Sequence, residues 1–352
     1  MARRFLFVLR TKLGDTLIHF QTVRAFAARH PDDEITLLAR ADYAPLLEGE
    51  PGIRTVGFAN RADLIAKLAW LRLTRPSFDA LAVLTGYGPA MLQIAGLVRA
   101  RRRLFFDARF PAAYPEHPPA YEETSLVDRS WQTARLLDPT LPKPDRLDLP
   151  ALRARRLATR ERARAIGVVP LANELRRNLD AATLRGLLAR VRERHPGQPV
   201  WIFVNPNDRG AADLEAIDLA QIVEWRRFRT LRELLPFYAH LDGWYGTDTG
   251  LYHLAVAMGI PATVFFGPTQ PQLIVMPEQP DATWVRLETL GARHCDEKVC
   301  ARPLCLHQAV ATWSERSTGT RLDETPVGCP LRTTPPERLP AIHTHANPRH
   351  QA

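Results

Sequence analysis

The sequence predicts an α/β protein made of two Rossmann-like domains with parallel sheets, and three observations carry that reading. Short apolar runs of strand length alternate with segments of helical period along both halves of the chain. The length of 352 residues suits two domains of about 150 residues each. Between the halves, Pro139, Pro142, Pro144 and Pro150 punctuate residues 139–160, which reads as an interdomain linker. The expected division is residues 1–155, residues 156–334 and a disordered tail over 335–352.

In the first half, Phe5 to Leu9 reads as a buried strand. Asp15 to Arg29 follows as a helix, with Leu17, Ile18, Val23, Phe26 and Ala27 at helical spacing. Strands at Ile35 to Leu38 and Ile53 to Val56, a helix near Asp63 to Leu73 and a strand at Phe78 to Leu84 continue the rhythm. After an arginine-rich helix starting near Arg153, the second half repeats it. Strands fall at Ile166 to Val169, Val200 to Val204 and Ala262 to Phe266, with helices at Ala181 to Arg194 and Thr230 to Ala239. Strands that alternate with helices pair in parallel.

Composition narrows the function classes. Hydrophobic residues make up 45% and charged residues 24%, a globular balance. Arg3 and Arg4 precede an apolar run, Phe5 to Leu9, that Arg10 and Lys12 cut short. Export signals need roughly 7–15 apolar residues and spanning helices roughly 18, so a cytosolic protein is expected. The net charge of +9 rests almost wholly on arginine, with lysine only at positions 12, 67, 143 and 298. Arginine suits bidentate phosphate binding, but net charge alone does not choose among nucleic acid, anionic membrane and phosphorylated small molecules.

Three segments carry candidate chemistry. Lys12-Leu13-Gly14-Asp15-Thr16 lies where a strand ends and a helix begins, with Gly14 allowing a tight turn. One glycine is not the three of a dinucleotide fingerprint, which disfavours a nicotinamide or flavin enzyme. Asp15 reads either as a helix N-cap or as a general base. Gly246-Thr247-Asp248-Thr249-Gly250, followed by His253, opens the helix Leu251 to Met258. It is either an anion site suited to a diphosphate or an ordinary cap, and His253 is a ligand contact or a core histidine. Gly267-Pro268-Thr269 ends the next strand. Arg176 and Arg177 follow the strand at Ile166, as a phosphate clamp or as solvated surface charge.

Together these segments resemble the heptosyltransferases, the family 9 glycosyltransferases. Phe7 to Asp15, ending Leu13-Gly14-Asp15, is similar to the family's opening strand and acceptor-side loop. Asp248-Thr249-Gly250 to His253, with Phe266-Gly267-Pro268-Thr269, is similar to its donor-site signature. The resemblance implies a GT-B architecture of two facing Rossmann-like domains, acceptor side first and nucleotide-sugar side second. It implies an inverting transfer of heptose from ADP-heptose to the lipopolysaccharide core. Asp15 would be the base, and Thr247, Asp248, Thr249, Gly250 and His253 would line the donor site with Gly267, Pro268 and Thr269. Arg176 or Arg177 would neutralise the leaving group, Lys12 and Gly14 would belong to the acceptor-side loop, and no divalent metal would be needed at the reaction centre. The resemblance weakens between Arg99 and Pro150. The loop Asn205-Pro206-Asn207-Asp208-Arg209 also lacks a clear counterpart to the family's nucleoside-binding acid.

Arg99, Arg101, Arg102 and Arg103 form a basic cluster that reads as a solvated loop or as a contact with an anionic inner-membrane leaflet. Phe105 and Phe106 look like strand core, so nucleic acid is not an expected partner. All four cysteines, Cys295, Cys300, Cys305 and Cys329, lie near the C-terminus with gaps of four, four and 23 residues. They are candidates for structural zinc or iron, or else reduced buried thiols. Some autotransporter heptosyltransferases resemble this arrangement in carrying a four-cysteine iron site, which keeps a protein acceptor open beside the lipopolysaccharide core. A non-catalytic nucleotide-sugar-binding protein is the other class of reading. His343, His345 and His350 occur in the expected tail.

Overall fold

The computed structural model describes residues 2–75, 77–86, 88–119, 125–158, 164–217, 223–267, 269–279, 282–287, 304–316 and 342–345. The chain divides into two compact units. Unit 1 comprises Met1–Ala154 with Gln272–Glu278, and unit 2 comprises Arg155–Pro271 with Gln279–Ala352. The return of Gln272–Glu278 to unit 1 has no signal in the sequence. A backbone hydrogen bond from the Glu278 N–H to the Asp145 carbonyl, at 2.8 Å, fastens it there.

Unit 1 runs β1 (Arg4–Leu9), α1 (Leu13–Arg29), β2 (Glu34–Arg40), α2 (Ala44–Leu47), β3 (Ile53–Phe58) and α3 (Arg61–Thr74). It continues with β4 (Phe78–Thr85), α4 (Ala90–Leu97), β5 (Ala100–Phe105), α5 (Leu126–Arg135) and the start of α6 (Pro150–Ala158), whose residues from Arg155 belong to unit 2. The five strands are ordered β3-β2-β1-β4-β5 and all pair in parallel. Phe5 to Leu9 is buried throughout, as a strand with helices on both faces requires. On one face Leu64, Leu68 and Leu71 of α3 and Met91 and Ile94 of α4 pack over Leu6, Val8 and Leu81. On the other, α1 and α5 are joined by a buried polar seam. The Ser130 hydroxyl donates to the Val127 carbonyl at 3.0 Å and receives Thr22 at 2.9 Å and His19 Nδ1 at 3.1 Å.

Unit 2 runs β6 (Ala165–Val169), α7 (Ala181–Arg194), β7 (Val200–Val204), α8 (Ala211–Glu215), β8 (Glu224–Arg227) and α9 (Leu231–Tyr238). It continues with β9 (Leu241–Thr247), α10 (Gly250–Ala257), β10 (Ala262–Phe266), β11 (Ala282–Leu287), α12 (Leu304–Arg316) and β12 (Ile342–His345), while α11 (Pro271–Ile274) starts here and passes into the segment that returns to unit 1. A single 3₁₀ turn, Leu175–Arg177, lies between β6 and α7. The sheet order is β12-β11-β10-β9-β6-β7-β8, parallel except for β12, which pairs antiparallel with β11. Among the described residues no helix is long and apolar enough to cross a membrane.

Three local expectations change. The arginine cluster is no loop. Arg101, Arg102 and Arg103 lie on β5, where Arg101 pairs with Asp79 and Arg102 with Glu116, because a parallel edge strand recruits this segment beside β4. The linker is helical from Pro150, where proline costs no hydrogen bond in a first turn, and α6 buries Leu152. The tail expected over 335–352 includes an ordered strand, Ile342–His345, because β11 offers a free edge to pair with.

Candidate functional site

In unit 2 the strand order reverses between β6 and β9, and in open α/β sheets ligands bind at the carboxyl ends of such strands. The 3₁₀ turn after β6 and the loop after β9 both leave from that point. Gly246 makes the close approach there. A Cβ on it would lie 2.4 Å from the Val169 carbonyl oxygen and 2.8 Å from the Trp244 ring, so no side chain fits.

The two loops are tied by charge. Arg177 Nη1 lies 2.9 Å from Asp248 Oδ2 and donates at 3.5 Å to the Asp248 carbonyl. Glu174 gathers both arginines, accepting from Arg176 Nε at 2.8 Å and from Arg177 Nη2 at 3.4 Å. Arg176 and Asp248 are buried, so the surface-charge reading of the arginine pair does not hold. Asn178 braces the turn by accepting from the Ala172 N–H at 2.8 Å and donating to the Arg209 carbonyl at 2.9 Å. His307 on α12 reaches the same segment, with Nδ1 3.1 Å from the Asp180 carboxylate.

Thr249 stands at the N-cap of α10 with extended backbone, but its side chain makes no capping bond. The ordinary-cap reading therefore fails for Thr249. The positive end of the α10 dipole therefore opens onto the loop that Arg177 holds through Asp248, which is an arrangement for an anion. Buried hydroxyls of Thr247 and Thr269 have no hydrogen-bond partner among the described residues, although buried polar groups normally acquire one. His253 is the fourth residue of α10, buried, with its ring centroid 4.9 Å from that of Tyr252. Gly267 admits no side chain without movement, since a Cβ would sit 3.0 Å from Leu306 Cβ. Its carbonyl accepts from the buried Arg286 at 3.4 Å. Pro268 lies outside the described residues. Burial raises the carboxyl pKa of half-buried Asp208, beyond the carboxyl end of β7.

In unit 1 the reversal lies between β1 and β4, whose ends are joined by a bond from the Arg10 N–H to the Thr85 carbonyl at 3.1 Å. Helix α1 starts at Leu13, with Lys12 as N-cap, so Asp15 is the third helical residue and the N-cap reading is overturned. The local reason is that the chain enters helix two residues earlier than the apolar period indicates. Gly14 sits inside the first turn with no left-handed backbone, so a tight turn is not its role. The Asp15 carboxylate is half-buried and accepts from the Thr11 hydroxyl at 2.8 Å. Tyr43, beyond β2, is half-buried, and burial raises its hydroxyl pKa.

Of the four cysteines only Cys305 is described, half-buried near the start of α12. Cys295, Cys300 and Cys329 lie outside the described residues, as does His350. Among the described residues no group of three or more His, Cys, Asp or Glu is placed to hold a metal. The helpers Glu174, Asn178, His307, Thr11 and Tyr43 escaped the sequence reading. Glu174 and Thr11 stand within four residues of their partners, but His307 and Tyr43 had no local signal.

The family described as glycosyltransferase family 9 (heptosyltransferase) matches residues 99–305, more than half of the chain. The chain belongs to glycosyltransferase family 9. This family 9 glycosyltransferase is similar in structure to E. coli ADP-heptose lipopolysaccharide heptosyltransferase II, with 18% identity and a TM-score of 0.62, over 90% of this chain and 100% of that one. It is similar to E. coli heptosyltransferase WaaC with ADP at 19% identity and a TM-score of 0.59, over 78% and 93% of the two chains. The iron-containing dodecameric glycosyltransferase TibC from enterotoxigenic E. coli matches at 15% identity and a TM-score of 0.53, over 90% and 77%. No curated protein matches. At these identities the likenesses show a shared fold, the GT-B kind with two parallel-sheet α/β units, and this family 9 glycosyltransferase has it.

Proposed function

We propose that this family 9 glycosyltransferase transfers heptose from ADP-heptose to a lipopolysaccharide core acceptor with inversion at the anomeric carbon. The observation that carries the donor half is the Arg177–Asp248 pair, which joins the loops at the β6/β9 reversal beside the N-terminus of α10. Arg177 and Arg176, with the α10 N–H groups, hold the diphosphate, and buried Thr247 and Thr269 donate hydroxyls to it. His253, Gly250 and Gly267 shape the floor of that site. Asp208, at the second strand's carboxyl end, takes the position from which an acidic residue binds a ribose in Rossmann folds.

In unit 1, Asp15 accepts the proton of the acceptor hydroxyl from the first turn of α1, which Lys12 precedes as N-cap and which includes Gly14. The acceptor oxygen forms a bond to the anomeric carbon as the bond from that carbon to the diphosphate oxygen breaks. The electron pair leaves on ADP, and the arginines offset its charge. The names of the two E. coli heptosyltransferases and the family description support heptose and ADP as the donor.

A protein acceptor is the second reading. It is favoured by the clustering of the four cysteines together with the likeness to iron-containing TibC. Nucleoside diphosphate release from ADP-heptose and from GDP- and UDP-sugars, with each acceptor class, tests both. Turnover with ADP-heptose that disappears in Asp15→Ala while donor binding survives is expected. If no nucleotide sugar binds at millimolar concentration, the donor reading is wrong.

A further inference from the structure

Helix α3 is apolar on two sides. Leu64, Leu68 and Leu71 enter the core of unit 1, as expected of a helix packed on a sheet. The opposite side normally carries charge. Here Ala62, Ala66, Ala69 and Leu73 follow one another at spacings of four, three and four, with Ile65 and Trp70 at their margins. Leu73 is 85% exposed, Ile65 and Trp70 are 38% exposed each, and Ala62 and Ala66 are exposed as well. On α4, held to α3 by a bond from Arg61 Nε to Gln93 Oε1 at 3.2 Å, Leu92 is 47% exposed. Four of the six large hydrophobic side chains exposed among the described residues thus belong to two adjacent helices of one unit.

The rim of this face is basic. Arg61 and Arg72 flank the stripe on one side and Lys67 on the other. Arg54 of β3 lies 5.0 Å above the Trp70 ring. Asp63, the one acid of α3, is engaged at the helix start, where it accepts from the Ala59 N–H at 2.8 Å. A protruding leucine and a half-exposed tryptophan, surrounded by cations, match the interfacial region of a bilayer. There aliphatic side chains enter the acyl boundary, the indole sits at headgroup level and arginine meets lipid phosphate.

We propose that the outer face of α3 and α4 is a docking surface for an anionic membrane. The arginine cluster on β5 is not its centre, because Arg101 and Arg102 are engaged with Asp79 and Glu116. This inference rests on exposure and charge in unit 1 and stands apart from the donor and acceptor assignments.

Flotation of the full chain with vesicles tests it. Wild-type protein is expected to float with phosphatidylcholine vesicles containing phosphatidylglycerol, to float poorly with phosphatidylcholine alone, and to be released as salt rises. Leu73→Asp is expected to lower binding at least tenfold, and Arg72→Gln about fivefold, the factor for one basic residue near such a surface. Leu157→Asp, at a site 48% exposed in unit 2, is the control that leaves binding unchanged. Both leucines are too exposed for these changes to threaten folding, and a thermal melt checks that they do not. Wild-type protein that stays with the unbound fraction overturns the proposal. So does a wild-type dimer in solution that Leu73→Asp converts to monomer, because a second copy of the chain would then be the occupant.

Discussion

The Thr11 hydroxyl donates to Asp15 Oδ2 at 2.8 Å, across one turn at the start of α1. Thr11 lies just beyond β1 and Asp15 in the first turn of the helix, so the bond spans the junction of strand and helix. It fixes one carboxylate oxygen and leaves the orientation of the other set by the helix.

If Asp15 is the base, Thr11 is its positioning residue. Thr11→Val keeps the shape and removes the donor, and turnover is expected to fall about tenfold while the KM for donor stays unchanged. Thr11→Ser is expected to recover most of the loss. Steady-state kinetics of the three proteins decide it, and a valine variant within twofold of wild type would show that the bond is incidental.

The Arg177–Asp248 pair is largely withdrawn from water, with side-chain exposures of 23% and 5%. Asp248→Ala would leave Arg177 with Glu174 as its remaining carboxylate partner, at 3.4 Å, and a loss of about 2 kcal/mol in unfolding free energy is expected, with weaker donor binding. Arg177→Met with Asp248→Leu is expected to cost less than the sum of the single changes. Denaturant titration of the cycle measures the coupling, and strict additivity would mean that the two side chains do not depend on each other.

Gly246→Ala places a methyl group against the Val169 carbonyl at the β6/β9 reversal, where the clearance is 2.4 Å. The strands must part or bend, and a loss of about 2 kcal/mol or more is expected, in line with overpacked cores. Gly186→Ala, on α7 with open space around it, is expected to be neutral or stabilising. Paired thermal melts separate the two.

His19 carries a pH dependence whose sign follows from its burial. Burial foremost, then the charge of Arg129, lowers its pKa to about 3 in the folded protein, against an unfolded value of 6.5. The folded state thus keeps His19 neutral while the unfolded state takes a proton. The contribution is complete above pH 6.5 and is lost as pH falls from there toward 3. At pH 5 the loss is about 2 kcal/mol, at about 1.4 kcal/mol per unit. His19→Gln should flatten the difference in unfolding free energy between pH 7.5 and pH 5 by that amount. An unchanged difference would place a proton on His19 in the folded state.

Legibility in the sequence varied with the range of the interaction. The strands Val200–Val204 and Ala262–Phe266 and the helix Ala181–Arg194 stand where the apolar pattern puts them, because burial period is a local property. The start of α1 was read two residues late because Lys12 and Gly14 carry no apolar signal, and that error made Asp15 look like a cap. The glycine of the β6/β9 approach, Gly246, was visible only as part of a polar loop, since its constraint comes from Val169, 77 positions earlier by residue number.

By itself the sequence determined the alternation of strands and helices, the two α/β halves and the segment from Asp248 to Thr269, which falls within the family 9 match over residues 99–305, all set by short-range pattern and residue type. Tertiary structure alone decided the strand order. That order brings the loop after β6 against the loop after β9 and makes Arg177 the partner of Asp248. It also decided that α3 shows an apolar side to solvent, because which side of a helix meets the sheet depends on neighbours far away in the chain. Local pattern fixes what each segment can bury; only the assembled core settles which faces are left uncovered.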